Sequence, residues 1–275
     1  MPTQAIETHV LGGLTLVLFP ASRLSVFAVP IPGRAGEFAP IAPGVVLQQS
    51  GGIAALNGPM FENCANQDLP SGNVSYSRSV CSNLRSFTSH GVIRYVHLDT
   101  KRGLNTGGGS ADGITISVVA GAPIATRGGV VPQGATAAVQ GYPPLVWNGQ
   151  NVTTTTLNTG AEWRSGLAIM SDGRLALAIG AMSMTAFADA LIAAGALYAL
   201  YTDGGGSTSL VLPNGTRKGA SEGRKVGSWL VVSREAVIPP GLGQILSSPN
   251  AKTYGLALTA AAIVAIAYAA SRREW

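Results

Sequence analysis

The feature that most constrains this fold is an apolar run, Ala196-Leu-Tyr-Ala-Leu-Tyr201, that leads through Thr202 and a single acid, Asp203, into three consecutive glycines and then Ser207-Thr208. A short apolar run bounded by turn residues reads as a buried strand. Glycine in series costs backbone entropy and is kept where the chain turns tightly or lets a ligand touch the backbone. Successive turn amides can form an anion-binding concavity, and Ser207 and Thr208 add hydroxyls beside it. The same residues also suit a plain glycine-rich hairpin turn, so this stretch alone leaves both readings open.

Similar punctuation runs along the chain. Asn57-Gly58, Asn148-Gly149, Asp172-Gly173 and Asn214-Gly215 are strong turn dipeptides. With 36 glycines in 275 residues, the chain is expected to form many short strands rather than long helices. Residues 167–170 and 175–179 flank Ser171-Asp-Gly-Arg174 and predict a hairpin. Residues 14–19 and 24–29 predict a second around Pro20-Ala-Ser-Arg23. One helix breaks the pattern after Ser183: Phe187, Ala190, Leu191 and Ala194 share a face, Ser183 or Thr185 can cap its start, and Gly195 suits its left-handed end. The expected class is α+β: a mixed sheet rich in short strands and hairpins, with few packed helices and a C-terminal apolar helix.

That last helix covers residues 253–271, which carry no charge and lie between Lys252 and the pair Arg272-Arg273. Helical, the segment is roughly 28 Å long, about one hydrocarbon thickness. An alanine-rich helix packed on the domain is the alternative, but a helix apolar all round favours the membrane. The chain therefore divides into a domain at 1–237, a Pro/Gly/Ser linker at 238–252 and a membrane helix at 253–271.

Charged residues make up 11% of the chain, against a usual share of about 25%. The net charge of +5 forms no block, and no stripe of basic and aromatic residues suggests a nucleic-acid partner. The two cysteines, Cys64 and Cys81, belong to no Cys-x-x-Cys pair, and the histidines, His9, His90 and His97, are scattered. No metal site is expected, although a divalent cation at Asp203 is compatible with the residues. Cys64 and Cys81 can form a disulfide in an oxidising compartment or remain two free thiols in a reducing one, the disulfide being favoured here. There is no Gly-x-Ser-x-Gly elbow for a serine hydrolase.

Several segments, taken in order, resemble the phosphodiester glycosidase family. Asn57-Gly58-Pro-Met-Phe61 is similar to its Asn-Gly-x-x-Phe signature, and Gly141-Tyr-Pro-Pro-Leu-Val-Trp-Asn-Gly149 to its Gly-x-Pro-x-Leu-Val-x-x-Gly segment. Arg164-Ser-Gly-Leu-Ala-Ile169 with Asp172-Gly173 resembles its Arg-Thr-Ala-x-Gly strand and hairpin, although Ser165-Gly166 replaces Thr-Ala. The helix after Ser183, the Asp203-Gly-Gly-Gly-Ser-Thr208 turn and Arg224-Lys-Val226 complete the series. The likeness runs from Leu11 to Val232.

The resemblance implies hydrolysis of a sugar-1-phosphate diester at the anomeric carbon, with a phosphorylated glycan as substrate. Such chemistry needs a group to neutralise phosphate, an acid or base, and donors for the sugar. Asp203 at its strand end is the candidate nucleophile or general base, and otherwise an aspartate capping its own turn. Arg164 can clamp a phosphate bidentately, or else pair with Glu162 or another surface acid. Glu62 is the nearest candidate second carboxylate, with Asp172 and Asp68 competing; Asp172 is better explained by its hairpin. Asn57, Gly204, Gly205, Gly206, Ser207, Thr208 and Arg224 are the candidate substrate contacts. Arg224 stands close to Arg217, Lys218 and Lys225, a run that is otherwise a solvated patch.

The rival expectation is a non-catalytic carbohydrate-binding or virion or cell-surface structural protein on the same fold. A second carboxylate within about 10 Å of Asp203 discriminates, because a binding protein needs none. The two arginines after residue 271 favour a cytoplasmic C-terminus and hence an extracytoplasmic domain. The first residues are not a signal peptide, since residues 1–8 carry Glu7 and no basic residue. Delivery in a phage particle or non-standard export would reconcile the two.

Overall fold

The computed structural model describes residues 5–30, 37–59, 62–63, 80–81, 84–89, 92–97, 113–153, 160–221 and 223–237. Among them the chain forms four sheets, of seven, five, five and four strands, and two α-helices. The helices are Val46–Ser50 and Met184–Ala193. This is the sheet-rich, helix-poor architecture expected, and it is mixed: Val92–His97 runs parallel to Ala135–Gly141 while their other neighbours are antiparallel.

The seven-stranded sheet is built on the hairpin Glu162–Met170 and Leu175–Met182. Leu14–Phe19 pairs outside the second of these strands, and Glu7–Leu11 outside that. Ala196–Tyr201 pairs outside the first, followed by Pro144–Trp147 and Gln150–Asn151. The central strands are apolar runs because both faces are covered. Strand alternation divides them between two cores. Val17, Phe19, Leu167, Ile169, Leu175, Leu177 and Leu200 face the five-stranded sheets. Leu16, Leu18, Ala168, Ala176, Ala178 and Ala199 face the Met184–Ala193 helix, whose Phe187 and Leu191 are fully buried against them.

The predicted helix forms as read, with the Ser183 hydroxyl accepting the Ala186 amide at 3.2 Å and Gly195 at φ +95°. The hairpin at 171–174 also forms, with Gly173 at φ +82° and Asp172 Oδ1 accepting the Arg174 amide. The hairpin expected at 20–23 does not. Leu14–Phe19 and Leu24–Phe27 lie in different sheets, joined by a 3-10 turn at Ala21–Arg23. Pro-Ala-Ser-Arg has no residue suited to the positive φ of a tight hairpin turn, and Leu24–Phe27 pairs with Trp229–Val232 instead.

That pairing belongs to the second five-stranded sheet, ordered Arg217–Gly219, Ser209–Val211, Ala54–Asn57, Trp229–Val232, Leu24–Phe27. Leu56, Leu210, Leu230 and Val232 join the central core. Ala55, Val211, Trp229 and Val231 form a separate cluster with Ile41 and Val46 on the other face.

The apolar segment 253–271, the linker 238–252, Cys64 and Asp68 lie outside the described residues. Among the described residues no helix is long and apolar enough to cross a membrane. Glu62 and Cys81 are described through their backbone: both lie in a four-stranded sheet, and Glu62 pairs with Cys81 across the strands Glu62–Asn63 and Val80–Cys81.

Candidate functional site

Three strands meet at Asp203. Ala196–Tyr201 leads into it, Ala54–Asn57 ends beside it, and Glu162–Met170 passes alongside, with Gly166 opposite Tyr201. The Asp203 amide donates to the Gly58 carbonyl at 3.1 Å, and the Thr202 amide to that of Ser165 at 3.0 Å. Successive residues of a strand point to opposite faces, so the acid is held from both sides of the sheet.

On one face Asn57 is the staple. It is fully buried, its Oδ1 accepts the Ser209 amide at 3.0 Å, and its Nδ2 donates to the Asp203 carbonyl at 2.5 Å and to Ser165 Oγ at 3.2 Å. Ser165 Oγ donates to that same carbonyl at 2.5 Å and accepts from Thr202 Oγ1 at 2.7 Å. Asn57 thus ties two sheets together at the backbone of Asp203. Its amide is committed to the scaffold and fixes Asp203 instead of facing a sugar hydroxyl. Gly58 must be small for a related reason: a Cβ there would overlap Ser228 Oγ, a buried hydroxyl with no hydrogen-bond partner among the described residues.

On the other face stand Arg164 and Tyr201, 1% and 4% exposed. Arg164 Nη1 donates to the Tyr201 hydroxyl at 3.5 Å, Nε to the Met182 carbonyl at 3.3 Å and Nη2 to the Gly160 carbonyl at 3.2 Å. Nη1 also pairs with Glu162 Oε2 at 3.2 Å. The Tyr201 hydroxyl reaches the glycine turn, for a Cβ on Gly204 would overlap it. Burial pushes this phenol above its ordinary range; Arg164 opposes the shift, and the negative charges of Asp203 and Glu162 add to it. At neutral pH Tyr201 is therefore a proton-bearing neutral hydroxyl.

Beyond Asp203 the chain makes a 3-10 turn, Gly205–Ser207. The Ser207 and Thr208 amides close it by donating to the Gly204 and Gly205 carbonyls. Gly204, Gly205 and Gly206 are half-buried, and among the described residues their three successive amides make no hydrogen bond. Gly205 sits at φ +57° with open space where a Cβ would stand. A row of unspent amides at a left-handed turn is an anion-binding arrangement. Ser207 and Thr208 are buried, and Thr208 Oγ1 is engaged with the Trp163 carbonyl at 3.2 Å.

Among the remaining candidates, Asp172 is taken up by its hairpin and by Arg174, 2.7 Å from its Oδ2. Arg224 is half-buried. Its neighbour Arg217 reaches the edge of the site, with Nη1 donating to Ser209 Oγ at 3.2 Å. Among the described residues no group of acids, histidines and cysteines is placed to hold a metal. The carboxylate brought beside Arg164 and Tyr201 is Glu162, which the sequence offered only as a surface partner for Arg164. Glu162 and Arg164 share a strand face by their spacing, a legible signal. The part of Tyr201 depends on register and is not legible.

Comparison with known proteins agrees with this geometry. The family model for phosphodiester glycosidases matches residues 50–233. No curated protein matches the sequence. Among solved structures, the fold resembles the catalytic domain of zebrafish N-acetylglucosamine-1-phosphodiester alpha-N-acetylglucosaminidase, auto-inhibited by its pro-peptide. The TM-score is 0.56 at 15% identity, over 84% of this chain and 82% of that one. A hypothetical protein from Synechocystis follows at TM-score 0.43 and 16% identity, over 82% of this chain and 61% of that one.

Proposed function

Because the chain belongs to the phosphodiester glycosidase family, we propose that it hydrolyses a sugar-1-phosphate diester, cleaving the bond between the anomeric carbon and the phosphate oxygen. The observation that carries this reading is the row of three amides at Gly204, Gly205 and Gly206 that make no hydrogen bond among the described residues, directly after an Asp203 whose backbone is held from both sides and above the Arg164–Tyr201 pair. The amides and Arg164 accept the phosphate charge. Asp203 takes the proton of the attacking water, whose oxygen bonds to the anomeric carbon while the phosphate leaves with the bonding electrons. The leaving group is already an acidic phosphate, so the acid that an alkoxide would require is dispensable here. Asn57, Ser165 and Thr202 act through the backbone of Asp203 and hold it to the geometry that in-line attack demands.

The zebrafish protein is named for an N-acetylglucosamine-1-phosphodiester, and a phosphorylated glycan is the substrate class proposed here. A glycan substrate places the domain on the extracytoplasmic side, with residues 253–271 as its proposed membrane tether. The test is release of free sugar from a sugar-1-phosphate diester. Asp203→Asn keeps the fold and lowers the rate by roughly 10²–10⁴-fold, the usual contribution of a general base. Full activity in that variant, or no sugar released by the wild type across a panel of such diesters, overturns the proposal.

A further inference from the structure

Arg164 carries a buried positive charge with one carboxylate partner among the described residues, and the two partners differ sharply in setting. The arginine side chain is 1% exposed, while that of Glu162 is 56% exposed. The other ligands of the guanidinium are neutral and fixed: two backbone carbonyls and a buried phenol. A buried charge needs an opposite charge, so Arg164 cannot give up Glu162 unless another anion arrives. Glu162 alone among these ligands is free to leave, because its side chain is solvated and ends a strand. Its ion pair, half in water, is weak.

We infer that Glu162 is an exchangeable counter-ion: it neutralises Arg164 in the free protein, and the phosphodiester of the substrate replaces it. This rests on the proposed function. The exchange conserves charge, one carboxylate for one singly charged diester, so the buried guanidinium stays neutralised at each stage. Three neutral ligands hold it in place while its charged partner changes. Glu162 thereby competes with substrate, setting a threshold that only an anion with further contacts, such as those to the glycine amides, can pass.

Removing the competitor raises anion affinity. Diethyl phosphate, a singly charged diester, is titrated into the wild type and into Glu162→Gln, with the Arg164 Nε–H nuclear resonance as reporter. The glutamine variant binds about 1.5- to fivefold more tightly, the range expected for loss of a half-exposed competing ion pair. A gain in affinity cannot come from damage to the fold; Glu162→Gln leaves an amide beside Arg164 but no charge, so the variant is expected to melt below the wild type without diethyl phosphate and to recover part of that loss with it. Binding to the wild type with equal or weaker binding to the variant overturns the exchange while leaving the phosphodiester site standing. Binding to neither overturns both.

Discussion

Gly204 is a glycine for want of space, not for backbone freedom. Its φ of −108° and ψ of −163° are open to any residue, but the Tyr201 hydroxyl occupies the place of a Cβ and the ring carbon bearing it would lie 2.9 Å away. Gly204→Ala is therefore expected to cost about 1–3 kcal/mol, as overpacking of a close-packed site does. Tyr201→Phe in the same chain recovers part of that loss by deleting the hydroxyl, and leaves the rest because the ring carbon stays. A double-mutant cycle by urea unfolding reads the coupling; additive losses would show that the two residues do not meet. Three glycines in a row announce a special turn, yet which of them answers to φ and which to a neighbour depends on a tyrosine placed by strand register. Asn57 teaches the same lesson. Asn-Gly is a turn signal, but here it ends a strand, and its amide holds three segments far apart in sequence.

Among elements, local chemistry was legible where it completed itself locally. Ser183, Gly173 and Gly195 act within a few residues of themselves, so cap and hairpin followed from the sequence. The Ala21–Arg23 connection failed because, instead of each other, its strands pair with partners about 160 and 205 residues away. The outermost strand of the large sheet, Glu7–Leu11, is tied by a similarly remote contact: Glu7 Oε2 meets Arg174 Nη1 at 3.0 Å and His9 Nε2 at 3.1 Å. Hydrogen bonding to Arg174, then to His9, holds the Glu7 carboxyl below its ordinary value of 4.5. Partial burial works the other way at Asp172, but its hydrogen bonds to Arg174 prevail and hold it below 3.8. Lowered carboxylate values stabilise the fold above the unfolded-state values, and the contribution is lost as pH falls through the folded ones. Wild type should thus melt above Arg174→Ala near pH 7, and the gap should be smaller at an acidic pH below the ordinary carboxylate values, where the two acids take up protons. An equal gap at both pH values would mean that Arg174 acts through packing of its stem.

At the scale of the molecule, the described chain closes on itself. The Ser233 amide donates to the Arg23 carbonyl at 2.9 Å and the Val237 amide to that of Ser22 at 2.6 Å, so the last described segment is tied beside the crossover between the two major sheets. Three apolar clusters cover the faces of those sheets, and among the described residues each is assembled from positions before 233. We predict that folding up to Val237 needs nothing from 238–275, while 253–271 carries an uncharged stretch of membrane-spanning length. The two halves of this reading separate cleanly. A chain ending at Val237 should keep the melting transition of the full chain to within a few degrees and stay in the aqueous phase of a detergent partition, while the full chain enters the detergent phase. If both chains stay in water, residues 253–271 are no membrane tether. If the shortened chain loses its cooperative transition, that segment instead covers the domain, as an alanine-rich packed helix would.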